Sequence, residues 1–185
     1  MRERIIKATI EEVNLHGLKF TMSELAKRLK MSKRSLYENF SSKQELLSSA
    51  LTFVLNNVEK QEKAIYSSDL PILEKLKAIL TIIPQETEPF DQHIYEDLKN
   101  TFPSEWNKVA SARKIRMQRI ETILKQGIES GTIRDVNIAV VQEIFNSSLD
   151  SFLKYKFLNS NNITYKNAVM VMLDLIINGL KSSDS

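Results

Sequence analysis

The stretch Phe20–Leu46 contains three helix starts in close succession, and a chain punctuated in this way has few ways to fold. Thr21 followed three residues later by Glu24 is a capping box, and Phe20 before it can staple onto Leu25. Ser32 repeats the arrangement between Met31 and Leu36, with Ser35 where the capping Glu would stand. Ser42 and Glu45 form a second capping box. The first start opens a helix of about two turns carrying Leu25, Ala26 and Leu29. The turn Leu29–Lys30–Met31–Ser32 leads to a second short helix, Lys33 to Phe40, with Leu36 and Phe40 four apart on one face. Two short helices joined by a tight turn, the second basic at its start, form the pattern of a helix-turn-helix.

That spacing suits a DNA duplex. A recognition helix meets the major groove with its N-terminal end, here Ser32, Lys33, Arg34 and Ser35. Arg34 can donate two bonds to the acceptor edge of guanine, and Lys33 can reach a base or a phosphate. The helix N-termini at Thr21 and Ser42 offer free backbone N–H groups to phosphate. Lys43 stands in the first turn after Ser42, where a cation opposes the helix dipole and a bound phosphate would relieve the conflict.

This stretch resembles the DNA-binding domain of the tetracycline-repressor (TetR/AcrR) family. The resemblance is carried by Thr21-Met22-Ser23-Glu24-Leu25-Ala26, by Met31-Ser32-Lys33-Arg34-Ser35-Leu36-Tyr37-Glu38-Asn39-Phe40, and by Lys43-Gln44-Glu45-Leu46-Leu47. The run Ser-x-x-x-Leu-Tyr-x-x-Phe-x-x-Lys is its most diagnostic part. Two positions depart from the family pattern: Lys30 stands where many members have Gly, and Lys33 where many have Ala or Gly. The resemblance implies phosphate contacts from Thr21, Tyr37 and Lys43 and base contacts from Lys33, Arg34 and Ser35. Leu36 and Phe40 are structural.

Charge distribution agrees with a polyanion at one end of the chain. Residues 1–43 hold ten Lys/Arg and five Glu, a balance of +5, out of a total formal charge of +3. The 185 residues are 42% hydrophobic and 26% charged, the proportions of an ordinary globular protein. Only four Gly and four Pro argue for long helices. There is no cysteine, hence no disulfide framework and no thiolate chemistry. No apolar run approaches membrane-spanning length and no signal-peptide pattern is present, so a cytoplasmic setting without membrane contact is expected.

Along the chain, helix 1 is expected from Arg2 to His16 with Ile6, Ile10 and Val13 as its stripe, ended by Gly17. His16 is expected to partner the last carbonyls of that helix. A long fourth helix runs from Ser42 to about Tyr66, a lever between the head and everything downstream. A fifth starts after Leu70-Pro71, and Pro84–Pro89 is an irregular connection. The acidic run Glu86, Glu88, Asp91, His93, Glu96, Asp97 reads as a solvated loop and short sixth helix, since its spacing matches no metal motif. Ser104 can cap a seventh helix reaching Ser130, whose basic segment 113–119 is expected to be an exposed face. The eighth and ninth predicted helices span about Asn137–Leu158 and Thr164–Lys181. The ninth carries Met170, Val171 and Leu175 besides Val169, Met172, Leu173, Ile176, Ile177 and Leu180, an apolar surface too wide for one buried face. A second copy, packing the eighth and ninth helices of both chains into a four-helix bundle, is the expected partner.

The expected fold class is therefore all-α, about nine helices, with a three-helix head at 1–45 and a ligand-binding and dimerisation body at 46–185. The expected function is a sequence-specific transcriptional regulator, a repressor released from a palindromic operator by a small molecule. Half-sites of a dimer lie about 34–36 Å apart or at multiples of that. The family pattern implies a cavity in the body, with Phe90, Tyr95, Phe102, Trp106, Val109, Arg113 and Met117 as candidate lining residues. An architectural DNA-binding protein of the same fold without an inducer is the competing reading. Two His, no Cys, no Gly-rich phosphate loop and no nucleophile elbow speak against an enzyme, and no catalytic residue, metal or cofactor is expected.

Overall fold

The computed structural model describes residues 1–82, 92–152 and 155–182, without the side chains of residues 92, 93, 95, 155, 156 and 159. Its elements are α-helices: α1 (Arg2–His16), α2 (Met22–Arg28), α3 (Lys33–Asn39), α4 (Lys43–Tyr66), α5 (Ile72–Leu80), α6 (Gln92–Thr101), α7 (Pro103–Glu129), α8 (Ile138–Phe152), α9 (Tyr155–Ser160) and α10 (Tyr165–Leu180), with one 3₁₀ turn at Gly17–Lys19. The all-α expectation holds. The expected eighth helix is described as α8 and α9, on either side of residues 153 and 154. Phe90, Glu86, Glu88, Asp91 and the side chains of His93 and Tyr95 lie outside the described residues.

Two compact units emerge, residues 1–59 with 83–109 and residues 60–82 with 110–185. The expected head, 1–45, lies wholly within the first unit, which also takes in the first part of α4 and the stretch through the start of α7. The first unit is built on Ile5, Ile10, Val13, Phe20, Leu25, Leu36, Phe40, Leu46, Ala50, Leu51 and Val54, with Ile94, Leu98 and Val109 in the same cluster. On α1 Ile10 and Val13 are buried as the spacing implied, but Ile5 is buried in place of Ile6, which packs at the edge. Burying an Ile side chain stabilises by about 1.5–3 kcal/mol. The second unit centres on Leu76, Ile79, Ile120, Ile123, Leu124, Ile133, Phe145 and Leu173.

Local chemistry sets the helix ends. Gly17 closes α1 at φ 67 and ψ −164, a conformation open essentially to glycine but not the left-handed helical cap expected there. His16 turns to Glu12, with Nε2 3.5 Å from Oε1, and not to the terminal carbonyls. α7 begins on Pro103, whose missing N–H costs nothing at a first helical position, so Ser104 sits inside the helix and not at its cap. Gly131, at φ 73, ends the turn after α7, and Gly127 lets Ile133 approach: a Cβ there would lie 2.4 Å from Ile133 Cδ1. Thr164 caps α10 by accepting from the Asn167 amide at 3.2 Å.

The basic segment of α7 is only in part the exposed face that was expected: Lys114, Ile115 and Gln118 are exposed, but its arginines are engaged. In the second unit Arg116 and Arg119 both donate to the carboxylate of Glu62 on α4, itself only 3% exposed, and Arg113 donates to Asp150 on α8 at 2.7 Å. A carboxylate so buried requires such partners, because desolvating it alone would cost several kcal/mol (an order-of-magnitude figure).

Candidate nucleic-acid interface

The head orients α3 through its short apolar face. Leu36 and Phe40 are fully buried, so Lys33, Arg34, Tyr37 and Glu38, on the opposite side, are exposed. Ser32 caps the helix by accepting from the Ser35 amide at 3.0 Å, and its hydroxyl also donates to Ser35 Oγ at 3.0 Å. Arg34 Nε donates to Glu38 Oε1 at 3.1 Å, one turn on, with the arginine side chain 90% exposed. Such an exposed i,i+4 pair holds the guanidinium weakly, so a guanine edge or a phosphate can replace the carboxylate. Lys33 Nζ stands 5.9 Å from the centroid of the Tyr37 ring.

The turn before α3 explains one departure in the sequence. Met31 N–H bonds to Ala26 O at 3.0 Å and Lys30 N–H to Lys27 O at 3.1 Å, which is the Schellman pattern. That pattern needs a left-handed residue after the cap, and Lys30 has φ 54. Glycine adopts this conformation freely and lysine does not.

The proposed phosphate positions are partly engaged inside the protein. The Thr21 capping box forms as expected: Thr21 Oγ1 accepts from the Glu24 amide at 3.2 Å, and the Thr21 amide donates to Glu24 Oε2 at 2.7 Å. Thr21 Oγ1 also donates to that carboxylate at 2.8 Å, which holds the Glu24 pKa below the ordinary carboxylate value. A phosphate at this helix start therefore meets an anion beside the threonine. At Ser42 the hydroxyl accepts from the Glu45 amide at 3.1 Å, but Glu45 reaches the Ser41 amide at 2.7 Å, one residue earlier than a capping box would have it. Lys43 relieves its clash with the helix dipole internally: Nζ donates to Leu18 O at 2.6 Å and lies 4.6 Å above the Phe20 ring. Desolvation there lowers its pKa.

Thus α3 brings Ser32, Lys33, Arg34, Ser35 and Tyr37 together on one short helix, while Thr21 and Lys43 stand at the starts of α2 and α4. The carboxylate partner Glu38 was not singled out from the sequence, although its i,i+4 spacing from Arg34 is visible there. Among the candidate lining residues, Val109 is buried in the first core, with Phe102 and Trp106 packed against it. Met117 packs on the second core and its carbonyl accepts from Gln142 at 3.0 Å, while Arg113 is taken up by Asp150. Among the described residues no group of three or more His, Cys, Asp or Glu is placed to hold a metal ion, and no helix is long and apolar enough to cross a membrane.

Residues 5–50 match the family described as bacterial regulatory proteins, tetR family. The chain is 24% identical over its full 185 residues, and over 97% of the relative's length, to YvaF, an uncharacterised HTH-type transcriptional regulator from Bacillus subtilis (strain 168). Among solved structures, it shares its fold with a putative transcriptional regulator from Saccharomonospora viridis in complex with choline, at TM-score 0.82 and 16% identity, covering 98% of this chain and 97% of the other. It shares it also with AibR in complex with isovaleryl coenzyme A and operator DNA, at TM-score 0.68 and 17% identity, covering 97% of each chain.

Proposed function

We propose that this chain, whose residues 5–50 match the tetR family of bacterial regulatory proteins, is a DNA-binding regulator of transcription and acts as a homodimeric repressor released from a palindromic operator by a small molecule. The observation that carries this reading is the exposed, basic start of α3, backed by the buried pair Leu36 and Phe40. On this reading Lys33, Arg34 and Ser35 read base edges. Tyr37 and the backbone at Ser32 contact phosphate, and Thr21 and Lys43 add phosphate contacts once duplex DNA competes for their internal partners.

Dimerisation is supported by apolar side chains that the second unit leaves exposed. Val140 and Ile144 on α8, Phe157 on α9, and Met170, Val171 and Leu175 on α10 are all more than two-fifths exposed, Leu175 at 69%. A second copy of the same helices covers them best, because a two-fold axis pairs each patch with itself and supplies two heads for a symmetric site. The small-molecule part is suggested by proteins of the same fold solved in complex with choline and with isovaleryl coenzyme A. An effector acts only by binding the released arrangement more tightly than the DNA-bound one. The working compartment is the cytoplasm, where an operator is reached.

The test is Arg34→Ala on a duplex selected by the wild-type protein. The expected loss is about 1–3 kcal/mol of affinity with relaxed preference at one base position in each half-site. Unchanged sequence preference removes Arg34 from the reading set.

A further inference from the structure

The guanidinium of Arg2, in the first turn of α1, makes three contacts that converge on the far end of α3. Nη1 donates to the carbonyl of Asn39, the last residue of α3, and Nη2 donates to Glu45 Oε1 at 3.3 Å. The guanidinium carbon lies 4.1 Å from the centroid of the Phe40 ring, which is fully buried and so a fixed platform. Glu45 in turn accepts from the Ser41 amide at 2.7 Å and from Ser41 Oγ at 2.8 Å. Arg2 therefore grips the whole turn between α3 and α4. At the other end of α3, Arg4 Nη2 donates to the Leu29 carbonyl at 3.3 Å, in the turn that follows α2.

α3 is seven residues long. A helix so short does not hold itself in water, and its direction comes from what holds its ends. Its N-terminal end is the face offered to bases, so a small swing of the C-terminal end moves Lys33 and Arg34 across the groove. A cation on a terminal carbonyl satisfies an acceptor that the helix leaves free. Arginine suits the task because its planar fork can donate in two directions while stacking on a ring; a lysine ammonium at the same place is a point charge on a flexible stem.

We propose that Arg2 is a positioning residue for DNA reading: it fixes the pitch of α3 by clamping Asn39, Phe40 and Glu45, and does not itself supply a phosphate contact. This rests on the reading of α3 as the recognition helix. Arg2 is exposed enough, at 55% of its side chain, that its replacement leaves the core intact.

The full chain is compared with Arg2→Ala and Arg2→Lys on two probes, a duplex enriched from random DNA by the wild type and a non-cognate duplex of equal length. Both variants are expected to bind the enriched duplex about tenfold more weakly, the loss of roughly one charged hydrogen bond. Binding to the non-cognate duplex and the dependence of log affinity on log salt are expected to stay unchanged. A lysine variant that binds like the wild type, beside an alanine variant whose salt slope falls by about 0.9, overturns the proposal, because Arg2 is then a phosphate contact. Unchanged binding by both variants overturns it as well. Amide hydrogen exchange without DNA supplies an independent arm. Amides of residues 36–40 are expected to exchange faster in both variants while those of Ile10 and Val13 do not; equal acceleration across the head makes Arg2 a general stabiliser and sinks the claim. Should the wild type enrich no duplex, the DNA reading fails, and the exchange arm still decides whether Arg2 holds α3.

Discussion

Lys30 is the residue whose conformation and chemistry disagree most openly. Its φ of 54 belongs to the left-handed region, imposed by the bonds from Met31 to Ala26 and from Lys30 to Lys27. A side chain there costs about 1–2 kcal/mol, partly offset by the greater backbone freedom that glycine loses on folding. Lys30→Gly is therefore expected to stabilise the head by about 0.5–1 kcal/mol, read from the denaturation midpoint. A destabilised variant would mean that the lysine side chain contributes something the turn geometry does not require. The same residue shows what a sequence can and cannot convey. Its departure from the family glycine was visible at once, but the strain follows only from the two hydrogen bonds that close the turn. Arg2 is the converse case, since a residue in the first turn of a helix carries no local signal that Asn39 and Glu45 will meet it.

The helices as elements were legible where caps and stripes agree. α1 and α4 end where Gly17 and the Ser67-Ser68-Asp69 break imply, and α2 and α3 start on their capping residues, Thr21 and Ser32. The start of α7 lies two residues earlier than a cap at Ser104 implies, because Pro103 is the better first helical residue. The basic run of α7 departs from a fully exposed face for a different reason. Charge at i and i+3 looks like a solvated face until another helix brings a carboxylate to it, and Glu62 comes from a distant part of the sequence. The second unit depends on that pairing between α4 and α7. Glu62→Gln keeps the shape and removes the buried charge to which Arg116 and Arg119 both donate, with 26% and 16% of their side chains exposed. The expected cost is about 2–4 kcal/mol, measured by urea unfolding followed by circular dichroism. A change within about 0.5 kcal/mol, the range of an ordinary surface substitution, would show that the cluster is solvated in solution.

At the scale of the whole molecule, the account requires two copies acting together. Leu175→Glu puts a charge on the most exposed apolar position of α10 without touching either core. It is expected to yield a monomer by sedimentation while thermal unfolding of the head is unchanged, and to weaken binding to a two-half-site duplex far more than to a single half-site. A dimer that survives the substitution would move the interface elsewhere. The central claim, that the start of α3 reads duplex DNA twice per assembly, is tested most directly by selecting bound fragments from a random duplex pool at low ionic strength. The account predicts enrichment of a palindromic site with half-site centres about 34–36 Å apart or a multiple of that. Recovery of an unenriched pool, or of a single unrepeated half-site, would contradict it.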